Sequence, residues 1–188
     1  LSYTLTGNYQ GPVHGDARVE WLRRGGRYQV HLDVSIGPRL APFVTRRMSS
    51  DGELTEDGLR PQRYEETTQV PLRSPRLNVV TLDPQRVVLA SGREAERPPG
   101  VQDTASQFVQ LTWLFTTQPQ RLRVGEAVDF PLALPRRLDR WFYDVVAEEL
   151  LETPAGRVPT FHLKPRRESR RAAELLVDTW IAPTRQYR

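Results

Sequence analysis

The stretch Ala17-Arg18-Val19-Glu20-Trp21-Leu22-Arg23-Arg24-Gly25-Gly26-Arg27-Tyr28-Gln29-Val30-His31-Leu32-Asp33-Val34 decides the fold class. Ala17, Val19 and Trp21 alternate with Arg18 and Glu20; beyond the glycines, Tyr28, Val30, Leu32 and Val34 alternate with Arg27, Gln29, His31 and Asp33. Successive side chains of a strand point to opposite faces, so this period of two gives each strand one apolar and one polar face. Gly25-Gly26 tolerates the positive φ that a tight hairpin turn demands. The pattern is that of an antiparallel sheet packed on one side only.

The same alternation continues in both directions. Leu1, Tyr3 and Leu5 alternate with Ser2, Thr4 and Thr6, and further strands are expected at 43–50, 62–69, 77–82, 86–90, 126–132, 141–147, 158–163 and 173–181. Turn signals stand at Asp51-Gly52, Asp57-Gly58, Asp83-Pro84 and Thr153-Pro154-Ala155-Gly156. About eleven short strands with this spacing suit a barrel, a sandwich or a strongly curled sheet. Residues 103–117 (DTASQFVQLTWLFTT) break the pattern, with no glycine or proline and apolar residues around most of a helical circumference. Asp103 is the expected N-cap, and a helix apolar nearly all round is expected to be buried on most sides. The expected architecture is therefore mainly β: a single curled antiparallel sheet, an open or half barrel, wrapped around one central buried helix. The whole chain, 1–188, reads as one domain. The loop 91–100 (SGREAERPPG) is the segment expected to be most mobile, as a lid or as a linker into the helix.

Composition narrows the function. The chain has 188 residues, no cysteine, and 27 Lys+Arg against 23 Asp+Glu for a net charge of +4. That excludes a disulfide scaffold, a thiol nucleophile and any cysteine-based metal site. No apolar run is long enough for a membrane-spanning helix. Lys164 is the sole lysine, and the arginines are scattered among acids instead of gathered on one element, so nucleic acid is not the expected partner. The chain opens at Leu1 without Met, a charged n-region or an apolar h-region, so any targeting segment that the gene encodes is expected to have been removed or to lie outside this chain.

No catalytic motif emerges. His14, His31 and His162 are remote in sequence, and no P-loop, G-x-G-x-x-G or G-x-S-x-G is present. His31 and His162 fall on the polar phase of their strands, where solvent is the default surrounding. Glu65-Glu66 and Glu148-Glu149 are adjacent strand residues that point to opposite faces, so neither pair forms a two-carboxylate site by itself. Glu149 continues the phase of Trp141, Tyr143, Val145 and Ala147 onto the apolar face unless a β-bulge shifts it. Neither a cofactor nor a metal is called for.

Aromatic residues and arginines are the candidates for binding. Trp21, Tyr28, Trp113, Trp141 and Tyr143 either line a cavity for an apolar ligand or fill the space between sheet and helix. Arg46, Arg47 and Arg63 lie on strands that are polar in both phases, which form either a solvated edge or the wet mouth of a half-open barrel meeting an acidic headgroup. Arg136, Arg137 and Arg140, and then Arg166, Arg167, Arg170 and Arg171, form local clusters that read as solvated turns or as an anion or partner patch.

The stretches Met48-Ser49-Ser50-Asp51-Gly52, Asp57-Gly58-Leu59-Arg60-Pro61, Gly100-Val101-Gln102-Asp103 leading into Phe108-Val109-Gln110-Leu111, Thr153-Pro154-Ala155-Gly156 and Trp180-Ile181-Ala182-Pro183 resemble bacterial domain of unknown function 3108. The resemblance covers essentially the whole chain. It implies an exported envelope protein of Gram-negative bacteria, periplasmic and in some cases tethered by a segment ahead of the domain. It also implies a sheet-around-helix form similar to the lipoprotein carriers of the Lol pathway, with a further edge strand beyond Arg188. It transfers no active-site residue.

Three functions follow as expectations. The first is a non-catalytic periplasmic module binding a lipid or other apolar group between sheet and helix, with a cavity beside Trp113. The second is a structural or protein-interaction module of the envelope with a filled core. The third, a hydrolase, requires titratable groups clustered in a cleft and is the least favoured.

Overall fold

The computed structural model describes residues 2–8, 12–38, 40–153, 156–167 and 177–185. Among the described residues the chain is mainly β with one α-helix. The strands form two sheets, where a single one was expected. The first is an eight-stranded antiparallel meander in sequence order: β1 (Ser2–Asn8), β2 (Pro12–Arg24), β3 (Arg27–Ile36), β4 (Val44–Thr55), β5 (Gly58–Gln69), β6 (Arg76–Leu82), β7 (Arg86–Val88) and β8 (Glu94–Glu96). The second contains β9 (Gln102–Asp103), β10 (Ala127–Leu134), β11 (Arg137–Thr153), β12 (Gly156–Arg167) and β13 (Thr179–Ile181) in the order β13-β12-β11-β10-β9, and curls as a half barrel. The division falls at Pro98-Pro99, which have no N–H to extend a ladder; the chain then crosses over and β9 pairs with β10 in parallel. Helix α1 (Ser106–Thr117) stands between β9 and β10 in the chain.

The first hairpin forms as its alternation requires. Ala17 faces Val34, Val19 faces Leu32 and Trp21 faces Val30, which puts all six on one face. Tyr28, Val30 and Leu32 are buried there, and Trp21 stacks on the diagonal Tyr28 with ring centroids 5.6 Å apart. Of the two turn glycines only Gly25 has positive φ, at +59°.

Two turn signals behave differently. Asp57-Gly58 does connect β4 to β5, whereas Asp51-Gly52 lies inside β4 at a register shift. A Cβ at Gly52 would stand 2.2 Å from the Arg60 carbonyl oxygen, so glycine is required by close backbone approach within the ladder. Gly52→Ala is expected to cost about 1–3 kcal/mol by overpacking. Its urea midpoint reports this, and an unchanged midpoint would mean the strands separate freely at that point.

The loop 91–100 is also more ordered than expected. It supplies β8, which pairs with β7, and the Arg97 guanidinium donates to the carbonyls of Leu82 (2.7 Å), Asp83 (3.1 Å) and Pro61 (3.0 Å). These bonds fix it as a linker and not as a lid. The expected strand 173–181 is described only from residue 177 onward, as β13; its earlier part, Pro154-Ala155, Arg170 and Arg171 lie outside the described residues.

Helix α1 begins at Ser106, later than expected, because the backbone of Asp103 is engaged in pairing with Ala133. The Asp103 side chain still caps the turn before the helix: Oδ1 accepts from the amides of Ala105 (2.9 Å) and Ser106 (2.8 Å). The helix serves two apolar clusters. Ala105, Phe108 and Val109 pack with the core of the first sheet, and Leu111, Trp113, Leu114 and Phe115 with that of the second. Thr112, Thr116 and Thr117 donate their hydroxyls back to carbonyls four residues earlier. Phe108, Val109 and Trp113 remain half-buried, so the helix is covered less completely than its composition suggests.

Candidate functional site

A buried polar seam joins the first sheet to the start of α1. Strands β4 and β5 were expected to lack an apolar face for the helix, yet Met48, Leu59 and Tyr64 are buried, and polar pairing completes the cover. The Tyr28 and Ser50 hydroxyls are 3.0 Å apart, and Ser50 donates to Asp103 Oδ2 at 2.6 Å. Asp103 is wholly inaccessible, and burial pushes its carboxyl up to about 6 against the hydrogen bonds from Ser50, Ser106 and Ala105. The same burial raises the Tyr28 hydroxyl well above its ordinary value, with the charge of Asp103 adding to the rise. Alongside, Gln102 donates to the Leu59 carbonyl (2.8 Å), and Gln110 accepts from the Leu59 amide (2.8 Å). Tyr64 donates to Glu66 Oε2 at 3.0 Å, and its hydroxyl is also raised, by burial first and the Glu66 charge second.

The five aromatic candidates are not gathered around one opening. Tyr28, Trp141 and Tyr143 are buried, Trp113 is half-buried in the second cluster, and Trp21 is 38% exposed on the first sheet. Tyr143 donates to Gln107 Oε1 and lies 5.6 Å from the Phe130 ring. The buried Trp141 Nε1 and Gln102 Oε1 have no hydrogen-bond partner among the described residues. One open cleft is lined by Ala41, Pro42, Phe43 and Pro71 and another by Tyr3, Ala17, Val34 and Arg46, and neither is lined by Tyr28, Trp113, Trp141 or Tyr143.

The arginine candidates separate as well. Arg46 shares the phase of Met48 and lies 3.8 Å from the buried Glu66, with its own side chain 43% exposed. Arg47 and Arg63 lie on the opposite face, where they pair with Asp33 and Glu65. Arg136 is exposed at the β10–β11 turn, Arg137 meets Asp139 (3.3 Å), and Arg140 meets Asp129. Arg166 makes two bonds to Asp144 (2.8 and 3.0 Å) and lies 4.2 Å from the centroid of Phe142, which Arg140 also approaches. The arrangement is a braced outer face, with acids interleaved.

One cluster was not legible from sequence. A β-bulge between Val145 and Ala147 turns Glu149 to the face of His162, as the alternative reading of its phase anticipated. His162 Nδ1 lies 3.1 Å from Glu149 Oε1 and Nε2 lies 2.9 Å from Asp178 Oδ2. Trp180 stacks on the imidazole at 4.4 Å and donates its indole N–H to Glu149 Oε2 at 3.0 Å. His162 is thus half-buried and not solvated as its phase suggested. With a carboxylate on each ring nitrogen, neither nitrogen is directed at a hydroxyl or thiol, so the cluster is not arranged to activate a nucleophile. It ties β11, β12 and β13 together. His162→Ala is therefore expected to speed amide exchange of Thr179–Ile181 by roughly tenfold, with unchanged protection as the contrary result. The Trp180 N–H, aided by His162 and opposed by partial burial, holds Glu149 below its ordinary 4.5. A depressed carboxylate stabilises the fold above its ordinary value and loses that contribution as pH falls through the depressed one, so β13 should loosen in acid.

The fold and these contacts define a mainly β module of two sheets and one short helix, whose buried polar groups chiefly engage one another. The chain belongs to the family described as protein of unknown function DUF3108, which matches residues 2–187. Comparison with curated proteins and with solved structures gives no match.

Proposed function

We propose that this chain is a non-catalytic module of the bacterial cell envelope, periplasmic, that acts through its outer surface and holds no ligand between sheet and helix. One observation carries the reading: Leu111, Leu114 and Phe115 of α1 share one apolar cluster with Trp141, Tyr143 and Leu163 of the second sheet, and each is less than a tenth exposed. Side chains packed to this degree leave no room for an acyl chain without displacing core residues. The envelope location rests on the family resemblance. The interleaved acids and arginines of the outer strands suit specific contacts and give no continuous basic face for nucleic acid.

Titration with 1-N-phenylnaphthylamine, whose emission rises in apolar cavities, tests the proposal. No saturable increase is expected. Saturable binding abolished by Trp113→Ala would overturn it in favour of a carrier. A second reading places an acidic amphiphile outside the core, in the cleft of about 620 Å3 where Tyr3, Ala17 and Val34 lie beside Arg46. It predicts that Arg46→Gln abolishes fatty-acid binding, and fatty-acid binding unaffected by this change would contradict it.

A further inference from the structure

Two loops at one end of the eight-stranded sheet carry apolar side chains that the described chain does not cover. The β3–β4 loop presents Leu40, 99% exposed, and Phe43, 60% exposed; the β5–β6 loop presents Leu72, 106% exposed, followed by Leu77 at 59%. The antiparallel order β3-β4-β5-β6 brings both loops to the same end. They share an apolar cleft of about 530 Å3, walled by Ala41, Pro42 and Phe43 from one and Gln69 and Pro71 from the other.

Leu72 is unusual in a second respect. Its φ is +63°, and it is the only residue other than glycine with positive φ among the described residues. That conformation crowds a Cβ against the backbone and is ordinarily left to glycine or asparagine. The loop is tied into this shape: Gln69 Nε2 donates to the carbonyls of Val70 (3.0 Å) and Arg73 (2.9 Å), and the Arg73 amide donates to Val70 (3.1 Å). The fold thus holds a leucine in a strained conformation with its side chain in water, and gains nothing from it internally. Strain of this kind points to a use outside the chain.

Charge identifies the partner. Residues 37–43 (GPRLAPF) and 70–77 (VPLRSPRL) contain three arginines and no Asp or Glu, in a chain whose other exposed arginines mostly stand beside acids. Arg73 and Arg76 are exposed next to the leucine tips. Apolar side chains flanked by cations suit the boundary between acyl chains and anionic headgroups, where leucine enters the one and guanidinium meets the phosphate of the other. A protein partner would need a matched pocket for each of two separate tips, whereas a bilayer needs none.

We propose that this end of the sheet docks on an anionic membrane surface, with Leu40 and Leu72 inserted at the acyl boundary and Arg73 and Arg76 on lipid phosphates. The proposal rests on the reading that the chain acts through its outer surface. Cosedimentation of the chain with phosphatidylcholine vesicles, with and without phosphatidylglycerol, tests it. Binding is expected on the anionic vesicles and should weaken with salt. Leu40→Ser and Leu72→Gly should each lower the partition coefficient roughly tenfold, the effect of one apolar side chain lost from the boundary. Leu72→Gly also relieves the backbone strain, so its melting temperature should not fall, which separates lost contact from lost fold. Arg73→Gln and Arg76→Gln should each cost roughly fivefold on anionic vesicles and little on neutral ones. Absence of binding to anionic vesicles, or binding that both leucine variants retain in full, would overturn the proposal. Either result leaves the phenylnaphthylamine titration untouched, whereas lipid entering the core would appear there and be insensitive to Leu72→Gly.

Discussion

Asp103→Ala should destabilise the fold by about 3–5 kcal/mol at neutral pH, the largest single effect expected of a polar residue here. The carboxylate accepts from Ser50, Ala105 and Ser106 in a site with no access to water. Alanine leaves all three donors unpaired at the point where the first sheet meets the helix. For a chain of this length the loss corresponds to a fall in Tm of roughly 10–15 °C. A loss under about 1 kcal/mol would mean that water or a relaxed backbone replaces the carboxylate.

Asp103→Asn refines the expectation. Its carbonyl oxygen still accepts from both amides, but its NH2 group now faces the Ser50 hydroxyl. In the native seam Ser50 gives its proton to Asp103, so Tyr28 is the donor to Ser50. With a second donor aimed at Ser50, one hydroxyl proton is left without an acceptor, a cost of about 1–3 kcal/mol. The pH dependence also changes. Asp103 titrates near 6 in the folded chain against an ordinary 3.8, so the native state holds the proton more tightly. Its contribution is fully present below the ordinary value and declines as pH rises through the folded one, by about 3 kcal/mol in all. Urea unfolding between pH 4 and 7, about the window set by these two values, should show this decline in the native chain and lack it in Asp103→Asn.

Phe115→Ala should cost about 3–5 kcal/mol through lost burial and the cavity left behind. Phe115 is fully buried on α1 within the second cluster, alongside Leu111, Leu132 and Leu163, which are also fully buried. The variant has a second expected property. A cavity lined by leucine and aromatic side chains stays dry and accepts small apolar molecules, as engineered cavities elsewhere do. Benzene should therefore raise the melting temperature of Phe115→Ala and leave the native chain unaffected. Stabilisation of both to the same extent would show a cavity already present in the native chain.

The parts of the fold that could be read from sequence are those fixed by local pattern. Alternation from Ala17 to Val34 gave the first hairpin its faces and register, because a slip of one residue would turn every apolar side chain to water. The helix was legible from its unbroken apolar run, but not its first residue, since the backbone of Asp103 is committed to pairing with Ala133, thirty residues later in the chain. Asp51-Gly52 looked like a turn because the same dipeptide serves a turn and a close strand approach. Division into two sheets depends on which distant strands pair, and alternation carries no such information. The arginines were misleading for a related reason: their acids lie on neighbouring strands, as with Arg140 and Asp129 or Arg166 and Asp144. Such exposed pairs contribute little to stability, about 0–1 kcal/mol each, but they remove the appearance of a free basic patch. Glu149 and His162 came together only through a bulge. Leu40 and Leu72 gave no signal, because exposure and backbone strain are not written in composition.

Native mass spectrometry of gently purified chain, followed by organic extraction of whatever travels with it, tests the filled core most directly. The expected result is the mass of the polypeptide alone and an extract without stoichiometric lipid. A discrete one-to-one adduct identified as a lipid, persisting in Leu72→Gly and lost in Trp113→Ala, would contradict the filled core and return the interior of the sheet to a carrier's role.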